Sequence, residues 1–462
     1  MFRISVLLTV LVVVVACAQA PVKKEPVPVN AGKLRDHVEF LADDSLRGRD
    51  TGSEGYQQAA DYVAQEFSRI GLTPGVDGSY FQQVPLVEAK LVAGSARARV
   101  ATPSRAVELK YPDQFVSGPS LHVPDQDVSG ELVFAGYGIV ASEFGHDDYA
   151  GLDVKGKIVV TLVGRPEAWP TEEGAHLGSG REKSRHAAER GAIGRIIVHT
   201  PREEKTFPYK DQMKYLDIPS MNWVSVDGTP DAYWPQLKGG AYVTGATAEI
   251  LFEGAPTELE AVFKADSEAQ PVPGFPLKTS VSFARKSELR NLQSPNVVAV
   301  LEGNDPALKN EYLVYTAHLD HLGVIANAEG VEEIYNGAMD NAAGVATLLE
   351  TARVLAAERE NLKRSVIFLV VTGEEKGLLG AGYYASNPTV PIDSIVANIN
   401  LDMPLFLYPF ADVIAFGAEH SNLKDYVSRA AQAAGVSLSP DPMPEQGIFV
   451  RSDHYRFVQQ GI

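Results

Sequence analysis

Val366-Ile367-Phe368-Leu369-Val370-Val371-Thr372-Gly373-Glu374-Glu375-Lys376-Gly377 is an apolar run that ends in two adjacent acids. A strand with one wet face alternates polar and apolar residues, so a run without alternation marks a strand covered on both faces. Two carboxylates at the edge of such a core are costly unless something positive compensates them. A metal ion can compensate one, and the other can then serve as a base on metal-bound water. The plainer alternative is a solvated loop in which Lys376 pairs with one acid.

Outward from this segment the same style recurs from about Asn296. Residues 297–301, 312–316 and 395–401 are continuous apolar runs, separated by helical stretches such as 344–358. Apolar strands alternating with helices predict an α/β domain, a sheet with helices on both faces. Upstream, residues 34–41 and 53–70 have helical spacing, with Ala59, Ala60, Val63, Ala64 and Phe67 on one stripe and Gly71 just past the end. A polar loop, 44–52, separates these two helices. From about Gln126 the character changes to short β-type runs at 131–140 and 157–163, a helix at 183–190 and a strand at 193–199, which reads as a compact α/β insert. The expected organisation is a first catalytic segment at 31–125, an insert at 126–275 and a second catalytic segment at 276–462.

The chain has 462 residues, enough for two cores, and a net charge of −18, which argues against a nucleic-acid partner. Met1-Phe2-Arg3 is a positive n-region, and residues 4–15 form an apolar stretch too short to span a bilayer comfortably. Val14-Val15-Ala16-Cys17 comes next, and it resembles a bacterial lipobox. Cys17 is the single cysteine, which suits lipidation better than a disulfide. The alternative is an ordinary cleaved signal peptide with Ala16-Cys17-Ala18 as its small-residue site; in either case residues 1–20 are the signal segment. Both readings predict export, to the bacterial periplasm or as an outer-membrane lipoprotein, and otherwise secretion. The Pro- and Lys-rich residues 21–30 read as a tether.

Four further elements resemble the Glu374-Glu375 end in chemistry. His318-Leu319-Asp320 closes a predicted strand, where i and i+2 side chains share a face; Asp320 could then hold the second ring nitrogen of His318. His321 would point the other way. Asp340 sits among small residues before a helix and, taken alone, is better read as an N-cap. Asp402 again ends an apolar strand, and His454 lies in Ser452-Asp453-His454-Tyr455. Each is weak alone. Together they supply nitrogen and oxygen ligands with no thiolate, a set that suits zinc, with cobalt or manganese as alternatives.

The order His-x-Asp, Asp-Asn, Glu-Glu, Asp, His resembles the zinc aminopeptidase family, which includes bacterial leucyl aminopeptidase and aminopeptidase Y, with glutamate carboxypeptidase and the transferrin receptor ectodomain as relatives. Residues 41–86 resemble that family's N-terminal segment and residues 136–221 the protease-associated insert found in many members. The resemblance implies a three-layer αβα catalytic domain on a mostly parallel mixed sheet, interrupted by that smaller insert. It implies two zinc ions bridged by Asp340, one completed by His318 and Asp402, the other by Glu375 and His454. Glu374 would be the general base and Asp320 the residue orienting His318. It implies an exopeptidase releasing N-terminal residues from peptides. A carboxypeptidase or dipeptidase, a glutaminyl cyclase and a receptor-like scaffold are alternatives on the same fold. The family normally continues beyond the positions of Gln460-Gly461-Ile462 with a further strand and helix, so the second catalytic segment is expected to be C-terminally truncated. His146 with Asp147 and Asp148 reads as a solvated loop of the insert, and His186 and His199 as structural.

Overall fold

A computed structural model describes residues 27–462 apart from 327–329 and 406. The expected signal peptide, the lipobox at Cys17 and the first part of the tether lie outside the described residues. The apolar run before Glu374-Glu375 forms the strand Ser365–Val371, buried at every position. Its alternation serves two cores. Val366, Phe368 and Val370 pack with Leu348, Leu349 and Ala352 of helix Ala343–Ala357 and with Tyr56, Val63 and Phe67 of helix Glu54–Ile70. Ile367, Leu369 and Val371 pack on the opposite face with Ala381 and Tyr384 of helix Leu379–Ser386 and with Phe457. This is the helix–sheet–helix layering expected of an α/β domain. Full burial of a side chain such as Phe67 or Phe368 stabilises by about 1.5–3 kcal/mol.

Local signals set the helix ends. Ser53 caps Glu54–Ile70 by accepting from Tyr56 N at 3.1 Å, and Gly71 closes it in the left-handed region at φ 86.

Tyr312–His318 runs parallel to Ser365–Val371 on one side and to Ile395–Asn400 on the other. The long strand Phe275–Leu301 then pairs antiparallel with Ser365–Val371 through residues 297–301, and with Phe81–Leu91. The sheet is therefore mixed, with its three site-bearing strands parallel.

The first half of Phe275–Leu301 belongs to the insert. There it pairs with Asp125–Phe134 and Arg97–Ala101. Asp125–Phe134, Ile158–Leu162, Gly194–Val198 and Gly240–Val243 continue that sheet in parallel. Ala98, Val100, Leu109 and Phe115 share one core with Val128, Val160 and Phe283. Residues 97–116, ahead of the expected boundary at 126, thus share the sheet and core of the insert. The hydrophobic style of 97–116 gives no sign of this, because a strand's partner is not written in its own period. Conversely, Ser220–Trp223 pairs with Phe81–Leu91 of the catalytic sheet. One continuous strand joins the two sheets.

Candidate metal centre

Three parallel strands deliver the chemistry to one edge. Tyr312–His318 ends on His318, Ser365–Val371 runs through Thr372-Gly373 into Glu374-Glu375, and Ile395–Asn400 leads to Asp402. The carboxyl ends of parallel strands are where open α/β sheets bind ligands. Asp340 reaches the same edge from the segment before helix Ala343–Ala357, and the Asp340–Asn341 peptide bond is cis. Asp340 is not the cap of that helix. Asn341 Oδ1 accepts from Gly344 N at 2.9 Å and from Met403 N at 3.2 Å, which leaves the neighbouring carboxylate for the site.

His318 Nε2 stands 3.1 Å from Asp340 Oδ1 and 3.3 Å from Asp402 Oδ1. Asp340 also belongs to a second group with Glu375 and His321, and within each trio the ligand atoms lie within 4.8 Å of one another. In that second trio His321 Nδ1 is 2.6 Å from Glu375 Oε1. Asp340 is common to both. Ser452 donates its hydroxyl to Asp402 Oδ2 and itself accepts from Asn400 Nδ2 at 2.6 Å, so Asp402 is held from behind.

Two expectations need correcting. Asp320 does hold His318, but through its main-chain carbonyl, 3.1 Å from Nδ1. Its carboxylate is fully buried and accepts from Thr51 Oγ1 at 3.1 Å, Glu374 N at 3.1 Å and Glu375 N at 3.3 Å. It therefore fixes the Glu374-Glu375 turn. The strand stops at His318, so the two-residue alternation does not extend to residues 319–321. For the same reason His321 turns to Glu375 instead of away.

His454 lies in neither trio. It starts the short helix His454–Val458, its ring packs 5.3 Å from that of Phe449, and its Nε2 is buried without a hydrogen-bond partner among the described residues. Burial pulls its pKa down to about 4, which keeps the ring neutral. His454 and the preceding Asp453 both feel the charge of Asp402. Asp453 is fully buried, both its carboxylate oxygens are unpaired, and it feels the charges of His318 and Asp402. Sequence reasoning misses it, since an acid in a polar tripeptide carries no periodic signal.

The electrostatics show what the cluster lacks. Burial pushes the carboxyls of Asp320, Glu374 and Asp453 up, and neighbouring acids reinforce this. Burial alone would deprotonate His318, but hydrogen bonds to Asp340 and Asp402 outweigh it and hold its pKa well above the usual histidine range. Asp402 is lowered in turn: burial raises it, and the hydrogen bond and charge of His318 overcome that. Orphaned buried carboxylate oxygens and nitrogen–oxygen donor sets fit divalent zinc.

Two histidines of the insert have local partners, while His186 Nε2 is buried without one among the described residues. His199 Nδ1 is 2.6 Å from the Tyr242 hydroxyl and its Nε2 is 2.5 Å from Glu204, while His146 Nε2 pairs with Asp148 at 2.9 Å.

Comparison with known proteins bears on the family and the fold. Residues 296–462 match the model of Peptidase family M28, and residues 128–229 match that of the PA domain. The chain is similar to Aminopeptidase NAALADL1 of Mus musculus, 23% identical over 328 residues, which cover 62% of this chain and 40% of that protein. It is also similar to a Probable zinc metalloprotease of Pyrenophora teres f. teres (strain 0-1), 36% identical over 107 residues, 23% of this chain and 22% of that one. The chain thus spans less than half the length of either relative. The solved Aminopeptidase from Aneurinibacillus sp. strain AM-1 shares the fold, with a TM-score of 0.51, 21% identity, and coverage of 94% of this chain and 84% of that one. The second catalytic segment thus matches Peptidase family M28, and a PA-domain match lies ahead of it in the chain.

Proposed function

We propose that the protein is a zinc-dependent exopeptidase that hydrolyses N-terminal residues from peptides, with two ions sharing Asp340. The observation that carries this reading is the pair of ligand trios, His318–Asp340–Asp402 and His321–Asp340–Glu375, joined through one carboxylate. When bound there, two zinc ions would supply Lewis acidity toward a peptide carbonyl and lower the pKa of a water. The remaining work falls to the chain. Glu374 is placed by the Asp320 carboxylate, which accepts from its main-chain N–H. In that place it would take a proton from water and return it to the leaving amine. Ser452 and the main-chain carbonyl of Asp320 hold Asp402 and His318 in place.

The test is a panel of aminoacyl, acyl-blocked and free-carboxylate peptides, assayed with and without a chelator. Cleavage of free-amine substrates alone, abolished by the chelator and restored by zinc, supports the reading. Cleavage only at a free C-terminus would move the assignment to a carboxypeptidase, and cleavage of dipeptides alone to a dipeptidase. The same proposal includes export, carried by residues 1–17, with a lipid on Cys17; mass spectrometry of the mature N-terminus decides that part.

A further inference from the structure

The loop between the first two helices packs against the segments that carry His318, Asp340 and Glu375. Arg49 is its centre. Its side chain is 1% exposed, and among the described residues it pairs with no carboxylate. All its hydrogen bonds go to main-chain carbonyls. Nε donates to Leu319 O at 2.8 Å, Nη1 to Leu41 O and to Asn336 O at 2.7 Å, and Nη2 to Gly337 O at 3.0 Å. Leu319 lies between His318 and Asp320, and Gly337 lies just ahead of Asp340. The carbonyl of Arg49 accepts from His321 N at 3.3 Å.

The neighbours of Arg49 extend the same grip. Thr51 donates to the Asp320 carboxylate, and Asp50 pairs with Lys376 at 3.1 Å, beside Glu375. Asn336 Nδ2 donates to Ala42 O at 2.9 Å and to Asp44 Oδ1 at 2.8 Å. Gly48 has φ +69, and a Cβ there would lie 2.4 Å from Tyr335 O and 2.5 Å from Gly323 O, so no larger residue allows this approach.

A buried guanidinium spent on carbonyls contributes no ion pair. Its value is geometric, since a rigid planar fork addresses fixed points on separate segments, which a lysine ammonium cannot do. We propose that Arg49 is a positioning residue that sets the separation of the His318 loop from the Asp340 loop before any ion binds. This rests on the two-metal reading above and adds to it which part of the chain pre-forms the site.

The test uses the full chain and its Arg49→Lys variant, stripped of metal and titrated with zinc against a chromophoric chelator. We expect a folded variant whose zinc affinity is weaker by about 10–100-fold, the range for residues that orient metal ligands. A variant that loses thermal stability but binds zinc like the wild type overturns the proposal. If Arg49→Lys does not fold, hydrogen exchange of the metal-free wild type decides. Residues 319–323 and 335–341 should be protected without zinc, and free exchange there until zinc is added overturns the proposal. A wild type that takes up no zinc overturns the two-metal reading instead, and hydrogen exchange still tests the pre-formed loops.

Discussion

His321 Nδ1 lies 2.6 Å from Glu375 Oε1, and both residues gather around the carboxylate of Asp340. The sequence motifs pair Glu375 with His454, yet that ring is packed on Phe449. The two histidines therefore make opposite predictions. His321→Ala should lower zinc content from two ions per chain toward one, while His454→Ala should leave two. Elemental analysis of the purified variants checks this. Loss of an ion from His454→Ala with none from His321→Ala would restore the motif-based pairing.

Glu374 belongs to neither ligand trio, and the Asp320 carboxylate holds its main chain beside Glu375. Glu374→Gln removes the proton acceptor and leaves the ligands. The expected result is an unchanged zinc content with turnover reduced by about 10²–10⁴-fold. Turnover within a few-fold of wild type would remove Glu374 from the base's role.

These residues also show how far the sequence is legible. The apolar strands can be read because burial on both faces leaves no alternation, and their C-terminal acids stand out against it. His318, Asp340, Glu375 and Asp402 are found for that reason, and the structure brings them together. His321 and Asp453 escape because both lie just outside a regular element, where neither a period of two nor one of 3.6 holds, and for the same reason Asp320, which is found, holds His318 through its carbonyl instead of its carboxylate. The place of Arg97–Ala101 is hidden for a different reason: its partner, the strand Phe275–Leu301, is distant in sequence. The loop around Arg49 is legible only as polar and Gly-bearing.

The insert offers a pH test independent of metal. Lys183 is buried on helix Gly180–Glu189, its ammonium donating to Leu162 O at 3.1 Å and to Gly164 O, and burial pulls its pKa from the usual 10.5 to about 7. Between about pH 7 and 10.5 the unfolded chain holds this proton and the folded one does not, so stability rises with pH across that window. Below it the lysine is charged in both states and its burial costs most. Relative to Lys183→Met, the wild-type unfolding midpoint should climb as pH increases from about 7 to about 10. Parallel curves for the two proteins would count against a depressed lysine.

The most direct measurement is zinc titration of the chelator-stripped protein beside its Asp340→Asn variant. Since Asp340 is the one carboxylate common to both trios, the wild type should take up two ions per chain and the variant should lose tight binding of both. A wild type that binds no zinc, or an Asp340→Asn protein that still holds two ions, would contradict the account.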